Sequence, residues 1–339
     1  MRILFSLILL SYSFSAHAIT PKNLDEILNI SDFFQNVPGL ERADQLGAPS
    51  TSQRPQLYRF KATLSDTYRI GDEWGKRPYS EKNQYSEPVL RMAQATARVG
   101  GATGFYLGEF AGRHVMATNY HVCESERDCL GTLVRFTALG RSYTINRFFG
   151  SWSDVDLALF TIDVPNAKDA SLLQSVASPF DFSNSLYRGQ PLATVGFGVG
   201  SNPGRAMVIN EDSDCVVFSD ANEFRFMADP DDLNPGPYKA WSFANGCDVS
   251  HGDSGSAMID RETGQVVGII WTGKIPKSSF VQSSKFLKDL LASPNEVVWK
   301  ELSYAVPSQK IGDYLKELLA KKALPQDAEI VVSEMLKLN

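Results

Sequence analysis

Apolar and polar positions divide the chain into three stretches. The first 18 residues, MRILFSLILLSYSFSAHA, set one basic residue, Arg2, before an apolar run from Ile3 to Phe14 and close on Ala16-His17-Ala18. A charged start, a run of that length and a small-x-small ending predict an export signal. Serines and a tyrosine break the run, which is too short to span a bilayer comfortably, and residue 19 is Ile rather than a lipid-accepting Cys. The protein is therefore expected to be secreted or periplasmic, with no stable membrane anchor once residues 1–18 are removed.

Residues 19–91 read as an N-terminal extension or propeptide. Thr20-Pro21 predicts a helix start, with Leu24, Ile27 and Leu28 on one face. Polar, proline-interrupted sequence follows, GAPSTSQRPQ and then GDEWGKRPYSEKNQYSEP. A propeptide, a structural extension wrapped on the main domain and a flexible linker all fit this composition.

From about Gln94 the pattern becomes short apolar runs between turn residues: TGFYLGEF, HVMATNYHV, TLVRFTAL, DLALFTID, PLATVGFGV, CVVFS, FRFMAD, SGSAMID and QVVGIIWTG. Many short strands without intervening helices predict an all-β sandwich or barrel. FVQSSKFLKDLLA, near 280–292, interrupts it as a helical insertion. SYAVP is a last strand, and Ser308 then opens a helix with Ile311, Leu315, Leu318 and Leu319 on its buried side. The main domain is placed at 92–322 and a C-terminal tail at 323–339. There are no internal repeats.

The formal net charge of −6, without a basic block, argues against a nucleic-acid partner. Four cysteines in an exported chain predict disulfides. Three pairings are possible; Cys123–Cys129 closes over ESERD, and Cys215–Cys247 ties an earlier segment to the loop before Ser254. A metal site is the alternative, but neither a Cys-x-x-Cys nor paired histidines support it.

That loop, CDVSHGDSGSAM, raises the question of whether Ser254 is a turn serine or a nucleophile. A serine hydroxyl needs a base within hydrogen-bond reach, usually a histidine oriented by a carboxylate. Of the four histidines, at 17, 114, 121 and 251, none follows Ser254, which excludes every triad with histidine last. His17 leaves with the signal, His114 reads as a solvated turn residue, and His251 sits in the serine's own turn with its ring outward. His121, at the end of the strand VMATNYH, is the candidate base. Asp156 opens the apolar run Leu157-Ala158-Leu159-Phe160, where a carboxylate needs a partner. Asp154 is the competing acid and reads as solvated. A His Nδ1–H would satisfy Asp156 and fix the ring's tautomer.

The order His121, Asp156, Ser254, carried by ATNYHVC, DVDLALF, GDSGS and VVGIIWTG, resembles the trypsin-like (chymotrypsin-family) serine proteases. TNYHV and GDSGS are similar to secreted bacterial members, including the glutamyl endopeptidase group. The resemblance, over roughly 95–320, implies two six-stranded antiparallel β-barrels with the active site between them. It further implies that the Gly252 and Ser254 amides form an oxyanion hole, that Trp271, Thr272 and Gly273 align substrate, and that Asp248 lies where a Lys- or Arg-binding acid would. In the animal enzymes the acid beside the serine, here Asp253, pairs with a newly cut N-terminus. The expected function is a secreted serine endopeptidase acting on proteins or peptides, preferring Lys or Arg on the acyl side and needing no metal or organic cofactor. The alternative is a non-catalytic or locked homologue that binds proteins.

Overall fold

The computed structural model describes residues 67–198, 206–231 and 238–337. The predicted signal at 1–18 and the helix predicted from Thr20 lie outside the described residues.

Among the described residues, fourteen strands carry the fold. The first unit is a closed barrel of β2 (Thr96–Val99), β3 (Ala102–Phe110), β4 (Arg113–Thr118), β5 (Leu133–Phe136), β6 (Arg141–Trp152) and β7 (Leu157–Ile162), in the order β2-β3-β4-β7-β6-β5. Closure removes the unpaired strand edges that would otherwise template aggregation. In β7 all six side chains are buried, which is why its sequence reads as a continuous apolar run rather than an alternating one. Val134 and Phe136 of β5 alternate with outward residues, and Tyr106, Met116, Val134, Phe136 and Phe160 share the barrel interior.

The second unit is a sheet of β1 (Lys76–Pro78), β8 (Leu192–Gly196), β9 (Val208–Asn210), β10 (Arg225–Met227), β11 (Ala240–Asn245), β12 (Ala257–Asp260), β13 (Val266–Gly273) and β14 (Ser303–Pro307). Its order is β1-β9-β8-β12-β13-β14-β11-β10. Of the expected runs, PLATVGFGV, SGSAMID, QVVGIIWTG and SYAVP supply β8, β12, β13 and β14, and FRFMAD supplies β10, whereas β9 and β11 were not expected. Short strands β1 and β10 extend both ends, giving eight strands in place of six. Single bridges, Pro191 to Val216 and Val217 to Asn245, link β8 to β11. CVVFS supplies only these bridges and no regular strand.

A continuous apolar core joins the two units, with Phe105 and Leu107 of the barrel packed alongside Ala193, Val195, Ile259 and Ile269 of the sheet. The helix Ser308–Ala320 buries Ile311 and Leu315. Its Gly312 lies so close to Phe182 that an added Cβ would sit 2.9 Å from that ring. The insertion helix runs Ser284–Ala292, capped by the Ser283 hydroxyl.

Two segments outside the expected main domain pack on it, the first as the structural extension among the three readings of residues 19–91. Residues 67–91 are built into the body: Lys76 to Pro78 pair with Val208 to Asn210, and the helix Glu87–Ala95 buries Val89, Met92, Ala93 and Ala95. At the other end, the expected tail contains a packed helix, Gln326–Met335, burying Ala328, Val331, Val332 and Met335. Its Asp327 binds the Arg147 guanidinium at 3.0 and 3.2 Å.

Candidate active site

His121 is delivered by β4 but sits just beyond it, in a single 3-10 turn, Tyr120–Val122. Asp156 follows the 3-10 turn Ser153–Val155 and precedes β7. Because β4 and β7 pair, with Thr118 opposite Ala158, their ends bring the two residues together. The carboxylate is fully buried and accepts from both the His121 main-chain N–H (3.1 Å) and ring Nδ1 (2.9 Å). Asn119 holds the Asp156 carbonyl from the other side at 2.9 Å. Asp156 adopts φ +35°, a left-handed conformation that costs a non-glycine residue energy and is retained here by these bonds.

Burial works against protonation of His121, but the Asp156 charge and hydrogen bond, with Asp229 and Glu124, outweigh it and raise the ring's pKa above its ordinary value. The acid is thus poised to hold one tautomer and to stabilise an imidazolium. Asp154 is exposed, as expected of a turn acid. His114 is half-buried rather than solvated, because its Nδ1 shares a 2.9 Å hydrogen bond with the Tyr106 hydroxyl. His251 is exposed and meets Tyr68 edge-on.

Ser254 lies in the turn between Cys247 and β12. Gly252 has φ +94° and Gly255 φ +85°, so both need glycine's conformational freedom. A Cβ on Gly255 would stand 2.0 Å from the Thr103 carbonyl. Among the described residues, neither the Gly252 nor the Ser254 N–H meets a backbone acceptor. The turn is joined to the His121 side through Thr103, at the start of β3. Thr103 N–H donates to the Ser254 carbonyl (2.9 Å), and its own carbonyl accepts from the Thr118 hydroxyl (2.6 Å), three residues before His121. Its hydroxyl donates to the Gly252 carbonyl (2.8 Å) and accepts from Phe197 N–H (3.0 Å). One threonine therefore ties the barrel to both ends of the Gly252–Ser254 segment.

Disulfides join Cys123 to Cys129, just after His121, and Cys215 to Cys247, at the root of the Ser254 turn. Trp271, Thr272 and Gly273 end β13, which pairs with β12 on one side and β14 on the other. The Trp271 indole donates to the Ser242 hydroxyl at 2.9 Å, and Thr272 donates to Asp229 at 2.5 Å.

Asp248 departs from the sequence-based expectation. It is 1% exposed, and its two oxygens accept from Ile70 N–H (2.6 Å) and Gly75 N–H (2.7 Å). Burial pushes its carboxyl up to about 7, against the lowering effect of those amides. This carboxylate anchors the incoming chain through those two amides. Sequence reasoning missed its buried neighbour Lys277, which donates to the Leu302 carbonyl (2.9 Å) and the Ser303 hydroxyl (3.1 Å) and is pushed down to about 7 by burial. It also missed Tyr238, stacked on Tyr120 and edge-on to Trp271, whose phenol is raised by burial and then by the charge on Asp156. The only signal for Tyr238 was an aromatic residue in a proline-rich loop, which any surface turn can carry.

No curated protein matches the chain. Among the solved structures that resemble it are two crystal structures, each with a TM-score of 0.42. Rv3671c from M. tuberculosis H37Rv, a serine-to-alanine mutant in its inactive form, is 15% identical, over 74% of this chain and 97% of that one. The Rv3671c protease, also in its inactive form, is 16% identical, over 68% and 92%. Residues 102–269, the stretch from the start of β3 through Ser254 into β13, match the trypsin-like peptidase domain, and the chain carries a domain of that family.

Proposed function

We propose that the protein is an exported serine endopeptidase in which Ser254 attacks a peptide carbonyl. His121 takes the serine proton and later gives it to the leaving amine, with Asp156 orienting the ring. The Gly252 and Ser254 amides receive the developing oxyanion, a contribution typically worth ~10²–10³ in rate per donor. Substrates are proteins or peptides, aligned along Trp271, Thr272 and Gly273, and the chemistry calls on no metal or organic cofactor. Two disulfides fit an oxidising compartment, in keeping with the signal read at residues 1–18. A Lys or Arg preference set by Asp248 is not part of this proposal, because that carboxylate is already satisfied by main-chain donors.

The observation that carries the reading is the His121–Asp156 hydrogen bond at 2.9 Å, in a chain whose Ser254 turn is tied to the same strand through Thr103. The test is covalent labelling with a fluorophosphonate, which reacts with an activated serine. Labelling of one residue, mapped to Ser254 and lost in Ser254→Ala and His121→Ala, is expected. A folded wild-type protein that does not label is a non-catalytic or locked homologue instead.

A further inference from the structure

Asp253, between the two proposed oxyanion donors, has its carboxylate nearly sealed from water. One oxygen accepts from Gly198 N–H at 3.0 Å. The other accepts from Ser250 N–H (2.8 Å), the Ser250 hydroxyl (3.0 Å) and the Lys76 ammonium. Both side chains of the Lys76–Asp253 ion pair are almost wholly buried, at 1% and 3% exposed, and Lys76 also donates to the Ser250 hydroxyl at 2.5 Å. A buried charge needs a partner of opposite sign, and here the partner comes from 177 residues upstream.

The segment that brings it is fixed along its length. The Thr67 carbonyl accepts from Lys277 N–H, Gly71 N–H donates to the Val281 carbonyl, and Asp248 takes Ile70 N–H and Gly75 N–H. Gly75 runs so close to β9 that an added Cβ would stand 2.3 Å from both Asn210 and Asp212. Beyond Lys76, β1 pairs with β9, and Tyr79 N–H donates to the Met207 carbonyl. Residues 67–79 therefore form a strap whose one buried cation points at the residue next to Ser254.

We propose that Lys76 is a positioning residue for the Ser254 reaction, and that this strap is a working part of the catalytic unit rather than a removable leader. The proposal rests on the function argued above. The Asp253 carbonyl accepts from Ser256 N–H at 2.8 Å, which orients the peptide plane bearing the Ser254 N–H. Pinning the Asp253 side chain from Lys76, Ser250 and Gly198 fixes the other end of that residue. Without the cation the carboxylate must turn toward water, and the Gly252 and Ser254 amides turn with it. The cation is a side chain, so the pairing requires no cleavage upstream of residue 76.

The test compares full-length wild type, Lys76→Met, Lys76→Arg and the pair Lys76→Met/Asp253→Asn. Readouts are fluorophosphonate labelling rate, affinity for a peptide aldehyde, KM for a peptide ester, and the thermal melt. Lys76→Met should label about 10²-fold more slowly and lose aldehyde affinity in step, the effect of a lost oxyanion donor. KM should stay within about threefold, because the interaction acts on the transition state. Lys76→Arg should recover most of the rate. The paired variant removes the stranded charge; it should melt near wild type yet label at least about 10-fold more slowly, which keeps the test valid if Lys76→Met fails to fold. Intact mass should find Lys76 retained in the labelled wild type. A wild-type rate in the folded paired variant, or labelling confined to chains trimmed past Lys76, overturns the proposal. A wild type that never labels overturns the Ser254 reading first, and this proposal with it.

Discussion

Replacing Thr103 with valine isolates the joint between the two units. The substitution keeps the branched shape of a buried side chain and removes only the hydroxyl, which donates to the Gly252 carbonyl at 2.8 Å and accepts from Phe197 N–H at 3.0 Å. Both main-chain groups lose their partner, and an unsatisfied buried polar group costs about 1–3 kcal/mol. Two such groups give a loss of about 2–6 kcal/mol. For a domain of this size each kcal/mol is worth ~2–4 °C, so the melt should fall by roughly 4–24 °C. The Gly252 carbonyl also loses its tether to the barrel. A displacement of about 1 Å at a reacting centre can cost ~10²-fold, so the labelling rate of Ser254 should drop by about 10- to 100-fold at temperatures where the variant is folded. Thr103→Ser retains the hydroxyl and should stay within about 1 kcal/mol and a few-fold in rate. Melting curves by circular dichroism and timed fluorophosphonate labelling decide the matter. A Thr103→Val protein that melts and labels like wild type would refute the assignment of Thr103 as the joint.

Asp156→Asn should lower kcat/KM by about 10⁴, through loss of the correct His121 tautomer. The base works when neutral, so activity rises with pH through the His121 pKa. Asp156 helps raise that pKa, so the wild-type acid limb should be centred above ~6.5 and the residual limb of Asp156→Asn should lie lower; an unmoved limb in a pH–rate profile contradicts this. Asp248 supplies a stability prediction. Its folded pKa of about 7 lies above the unfolded value of ~3.9, so its contribution is complete below pH ~4 and is lost as pH rises to 7. Asp248→Asn should flatten the fall in melting temperature between pH 4 and 7, and an unchanged slope would show that another group carries it.

The parts legible in sequence were those written as local pattern. The strands β7 and β13 announce themselves because fully buried strands need near-continuous apolar residues. The 12-residue β6 was missed: register shifts break its alternation, and Ser142, Thr144 and Asn146 are exposed along it. The order of His121, Asp156 and Ser254 was readable because the chemistry restricts which residue types serve and the chain holds few histidines. The strap was not. Lys76 sits in a polar, glycine- and proline-containing stretch that resembles a linker, and its role depends on a partner far along the chain. The same holds for Asp248, whose position suggested a pocket acid. Its two partners are main-chain amides of residues 70 and 75, which no side-chain pattern can announce.

The central claim is that this chain cuts peptide bonds with Ser254. An unbiased protein mixture incubated with the purified protein, beside a Ser254→Ala control, tests it most directly when every new chain end is read by mass spectrometry. The account predicts internal cuts in the wild-type sample that vanish in the control, with no dominance of Lys or Arg on the acyl side, since Asp248 is already engaged. Identical digests from both samples, whether cut or intact, would contradict it.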